Sequence, residues 1–119
     1  MITRDRALEI LDISDQINQL PFQLFKKNTL LIYVGKCRKA KILVTSKGEE
    51  WLGKKEIFER TFGYIVDFIL GDKVLHIIPK IGDILYIDPY AGELVPFQVG
   101  EEMFYFKTIK LDDINLIIR

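Results

Sequence analysis

The chain reads as one α+β domain: short N-terminal helices, then a central amphipathic helix packed on an antiparallel β-sheet or half-barrel formed mainly by the C-terminal half. Three observations predict this. Its 119 residues, 49% of them hydrophobic, supply one core but not two. Residues 54–70 carry an aliphatic and aromatic stripe at helical spacing, and beyond residue 73 five β-rich runs are joined by turns short enough to force antiparallel neighbours. No repeat, low-complexity tract or linker interrupts the chain, so the domain covers 1–119.

Thr3 can cap a helix over 4–12, where Ala7, Leu8, Ile10 and Leu11 fall on one face and Arg4, Asp5, Arg6, Glu9 and Asp12 on the other. Pro21 suits the first turn of a second short helix near 21–27, with Phe22, Leu24 and Phe25 on its apolar side. Residues 29–34 are an apolar β-forming run, and 39–45 alternate Ala40, Ile42 and Val44 with polar residues. With Gly35-Lys36-Cys37-Arg38 between them, they predict a β-hairpin with a basic tip. Ser46 and Glu49 match a capping box that would open another helix. In the central helix, Phe58, Phe62, Ile65 and Ile69 form the buried face, Glu56 and Arg60 pair across one turn, Arg60 and Asp67 face water, and Gly71 ends it. Strands are predicted over 74–78, 84–87, 94–99, 103–109 and 114–118.

Seventeen Lys and Arg balance seventeen Asp and Glu, but unevenly. Residues 1–55 hold eleven basic and six acidic residues, and the rest of the chain six and eleven. Between Lys26 and Lys47 seven basic residues occur without an acid, a segment that attracts phosphate or forms a solvated basic face. Tyr33 and Phe25 accompany it, as rings that stack bases or as core. A single cysteine, Cys37, permits no internal disulfide, and there is no apolar run of signal-peptide or membrane-span length. The expected location is cytoplasmic.

One histidine, one cysteine and no nucleotide-loop or metal-ligand spacing disfavour catalysis, and no cofactor or metal is expected. His76 sits between Leu75 and Ile77 as a sheet histidine. Cys37 reads as a plain turn residue, or as one whose thiolate Lys36 and Arg38 would favour, and the acids at 83, 88, 101–102 and 112–113 occupy turns, where carboxylates are usually solvated.

Val44-Thr45-Ser46-Lys47-Gly48-Glu49-Glu50-Trp51-Leu52, after two strands with a basic connection, resembles the end of a winged-helix domain, in which a wing strand runs into a helix start. The resemblance covers about the first half of the chain. It implies that Lys36, Arg38, Lys39 and Lys41 lie on a wing that contacts the DNA backbone. Gly82-Asp83-Ile84-Leu85-Tyr86-Ile87-Asp88 and Leu111-Asp112-Asp113-Ile114 are similar to part of the LytTR-type DNA-binding sheet, over about a third of the chain, and no residue role is carried over from that family.

The function read first is a small non-enzymatic binding or accessory protein, such as a regulator or inhibitor. It would act through protein–protein association, either with a partner or as a homodimer built on its opposed charges. The competing reading is nucleic-acid binding through 26–47, with Lys36, Arg38, Lys39, Lys41 and Lys47 as contacts. A third is a small-ligand protein or enzyme whose site draws on Tyr86, Tyr105 and His76.

Overall fold

A computed structural model describes residues 2–14, 17, 20–39, 51–72 and 78–119. The elements are α1 (Arg4–Leu11), β1 (Thr29–Lys39), β2 (Trp51–Leu52), α2 (Lys54–Phe58), β3 (Phe62–Ile69), β4 (Ile84–Ile87), β5 (Glu93–Val99), β6 (Glu102–Lys110), a 3-10 turn (Leu111–Asp113) and β7 (Ile114–Ile118). The strands form one antiparallel sheet in the order β5-β6-β1-β3-β4-β7, with β2 paired to the end of β1.

The expectation of a central helix on a sheet is overturned: the molecule is mostly antiparallel sheet. Only five residues of the predicted 54–70 helix are helical, and Phe62–Ile69 is instead a strand next to β1. The physical reason is that Phe-Gly-Tyr-Ile-Val-Asp-Phe-Ile is built of β-branched and aromatic residues, whose side chains lose freedom in a helix but suit a pleated surface. Gly63 fits that arrangement, because a Cβ there would lie 2.6 Å from Ile32 Cδ1 on the neighbouring strand. Of the expected buried face only Ile65 is fully buried; Phe62 and Ile69 are half-buried and Phe58 is exposed. Arg60 is half-buried and donates to Val34 O at 2.7 Å instead of facing water, and Asp67 is half-buried in β3.

Two further expectations fail. Gly35-Lys36-Cys37-Arg38 is not a hairpin tip: β1 runs through it and pairs with β6 from Thr29↔Lys110 to Arg38↔Glu102. A bulge marks the spot, since Tyr33 opposes Phe106 while Gly35 opposes Tyr105, leaving Val34 as the extra residue. With no turn at 35–38, the structure has no wing tip there. Residues 21–27 form no helix either, and run as an irregular strap. Of the N-terminal helices only α1 stands, capped by the Thr3 hydroxyl accepting from Arg6 N at 3.2 Å. All but Lys39 of the strand expected over 39–45, the Ser46 capping box and most of 74–78, His76 included, lie outside the described residues.

The sheet has apolar packing on both faces. Along β1, Leu31 and Tyr33 belong to a cluster covered by Ala7 and Leu11 of α1 and by Phe22, whose ring meets Phe97 and Phe106 edge-on at 6.0 and 5.5 Å. Leu30, Ile32 and Val34 face the other cluster, with Ile57 of α2, Ile65, Leu85 and Tyr105. The edge strands β5 and β7 contribute to both clusters, through Leu94, Ile114 and Ile117 on this face and through Val95, Phe97, Val99 and Ile118 on the other. The centre of the sheet is β1 and β3; β1 comes from the first half of the chain, and β3 to β7 come from the C-terminal half.

Candidate functional site

The basic segment is divided by the length of β1. Lys26 and Lys27 are exposed before its first residue, whereas Lys36 and Arg38 lie near its last, roughly 25–30 Å away at strand rise. Lys36 Nζ lies 3.3 Å from Asp12 Oδ2 and 3.5 Å from Glu102 Oε1, and 5.9 Å from the centroid of the Phe104 ring. Its charge is therefore matched within the chain. Arg38 is exposed and opposite Leu52; the Lys39 backbone is opposite Trp51; Lys41 and Lys47 lie outside the described residues.

Tyr33 is fully buried, and its hydroxyl has no hydrogen-bond partner among the described residues. Burial first, then the nearby Asp12 charge, pushes its pKa far above the ordinary phenol value. Cys37 is buried too, and burial raises its pKa, against the lowering effect of the Tyr105 hydrogen bond and the Lys54 charge. The favoured thiolate expected from Lys36 and Arg38 is thereby corrected: in a strand those side chains do not converge on the sulfur as they would in a turn. Tyr86 accepts from Ile2 N at 2.9 Å on the face covered by α1, while Tyr105 lies in the opposite cluster, so the sheet separates these two expected ligand groups. Among the described residues no three His, Cys, Asp or Glu side chains come together as a metal site would require.

What the fold does assemble is a groove of about 560 Å³ where the 23–26 strap crosses the start of β5 and the end of β6. Leu24 and Ile109 supply apolar surface and the Phe25 ring stands at the rim, 91% exposed. Lys26 and Lys110 line it together with Glu93 and Asp113, so both charge signs surround the aromatic ring. The strap is held by its neighbours: Phe22 is anchored between Phe97 and Phe106, and the Thr29 hydroxyl donates to Lys26 O at 2.5 Å. Gly92, at φ +76°, forms the wall. A Cβ there would lie 2.2 Å from Thr108 O, so only glycine lets the 88–92 turn approach β6 this closely. Of these residues sequence reasoning singled out Phe25 and Lys26, for a different role; Glu93, Lys110 and Asp113 are remote from them in the chain, and no spacing pattern marks them.

No helix among the described residues is long and apolar enough to cross a membrane. Comparison with protein-family models, with curated proteins and with solved structures finds no match to this chain.

Proposed function

We propose that this is a non-enzymatic binding protein acting through protein–protein association, and that the groove at Phe25 receives an extended segment of a partner protein. The single observation that carries the reading is the Phe25 ring, 91% exposed beside an apolar groove rimmed by two lysines and two carboxylates. Aromatic anchors surrounded by polar rims dominate the energetics of protein interfaces. Charges of both signs favour a peptide carrying both signs over a polyanion, which the two carboxylates would repel.

The test places a photo-crosslinking phenylalanine analogue at position 25 and irradiates the protein in an extract of its own host. The expected outcome is one adduct of defined mass, competed by excess unmodified protein and lost when Lys26 and Lys110 are both changed to Glu. An adduct indifferent to those reversals, or no adduct beyond that from the same analogue at exposed Tyr90, overturns the proposal. Nucleic-acid binding is the second reading, supported by exposed Arg38, Lys26 and Lys27. It requires affinity for duplex or single strand that falls steeply with salt and is lost in Arg38→Glu.

A further inference from the structure

Lys107 is an unusual lysine. It lies in β6 between Tyr105 and Ile109, on the face that carries the Leu30, Ile32 and Ile65 cluster, and is only 4% exposed. An ammonium group has three N–H donors, and one of them reaches Pro89 O at 2.8 Å. Among the described residues no carboxylate lies within ion-pair distance of it. Asp88 acts only at longer range, raising the pKa against the larger lowering effect of burial. Asp83, also buried, is by contrast paired with an opposite charge: its Oδ2 accepts from Lys80 N at 2.8 Å and from Arg119 Nε at 3.2 Å.

Beside Lys107 opens a shallow, solvent-open recess of about 330 Å³ walled by Phe58, Pro89, Ala91 and Leu94. Phe58 is 40% exposed; its ring is held edge-on to Tyr105 at 5.8 Å, and Lys54 Nζ lies 5.2 Å from its centroid. A buried cation needs a compensating anion, and this one is accompanied by one neutral carbonyl and an apolar recess.

We propose that this recess binds a small monocarboxylate with an apolar body, its carboxylate on Lys107 Nζ and its body against Phe58, Ala91 and Leu94. A single ammonium balances a single negative charge, and the apolar walls penalise a second, which excludes inorganic phosphate and other dianions. The volume lies at the lower end of ligand pockets and admits an acid of the size of phenylacetate.

The experiment titrates phenylacetate and hexanoate into the full chain, following the ¹⁵N resonance of Lys107 Nζ and the melting temperature. Phenylacetamide and inorganic phosphate are the controls. Both acids should move the Nζ resonance saturably and raise the melting temperature, and neither control should do so. Lys107→Met replaces the buried charge by an apolar side chain of similar length, a change that folded proteins tolerate, and should weaken acid binding at least about tenfold. Equal effects of acid and amide, or unchanged binding in Lys107→Met, would overturn the proposal. Should that variant fail to fold, the wild-type resonance still decides: an Nζ signal unmoved by either acid refutes the site.

Discussion

A methyl group added at Gly35 would lie 2.5 Å from Arg60 Nη1 and 3.2 Å from Ile57 Cγ1, on a backbone whose φ of +136° disfavours any L side chain. Gly35→Ala should therefore cost about 2–4 kcal/mol, combining backbone strain with overpacking. Arg60→Ala, which strips Val34 O of a charged donor, should cost about 1.5–3 kcal/mol. Together they should cost clearly less than the sum, because removing the guanidinium makes room for the methyl group. Urea melts of the three variants check this, and additivity would mean that the contact is not the source of the loss. Cys37 gives a pH test. Burial raises its pKa, so the folded protein keeps a proton that the unfolded chain releases above the ordinary thiol value of about 8.5. Stability from this group is complete below that pH and is lost as pH climbs toward the raised folded value. The stability difference between wild type and Cys37→Ala should be flat at neutral pH and narrow above about 8.5; a gap unchanged to higher pH would contradict the burial.

Among the elements, β3 tests the revised fold. Ile65→Ala should cost about 2–5 kcal/mol, as for any fully buried isoleucine, and Phe62→Ala, at a half-buried ring, distinctly less. A helix over 54–70 would bury both residues and make the losses comparable, so paired chemical melts separate the two architectures. The stretch misleads because the sheet is packed on both faces. Phe62, Tyr64 and Val66 pack on one side and Ile65 and, beyond a bulge, Phe68 on the other, and a run apolar on both sides fits a period of 3.6 as readily as one of 2. The strands β4 to β7 were legible from their β-forming runs and short polar turns, and α1 from Thr3 and its apolar spacing. The basic turn at 35–38 was misread for a different reason. Glycine and charged residues signal a turn, yet what keeps Lys36 in a strand is the ladder to β6, where it opposes Phe104, far away in the chain. The groove was illegible on similar grounds, since Phe25 and Lys26 meet Glu93, Lys110 and Asp113 only through the pairing of β6 with β1.

For the whole molecule, the uneven charge of the chain takes on another meaning. The basic first half and acidic second half are drawn together by the β1–β6 ladder, and Lys36 with Glu102 is one place where they meet. Part of the complementarity that suggested an outside partner is thus used internally. Pairing at such sequence separations also sets the folding rate: refolding from urea should take on the order of milliseconds to seconds, as in other sheet proteins of high contact order, and a microsecond phase carrying the full amplitude would contradict the strand order. The position of β1 has a last consequence, for synthesis. Made early, it must wait with one hydrogen-bonding edge open until β6 leaves the ribosome, and its 30–34 run is aliphatic and aromatic. Nascent chains arrested at residue 100 should therefore be cut readily by protease and be held by chaperones, while chains arrested once residue 110 has cleared the exit tunnel should resist cleavage. The cell handles this protein, for most of its translation, as an open strand in need of shelter.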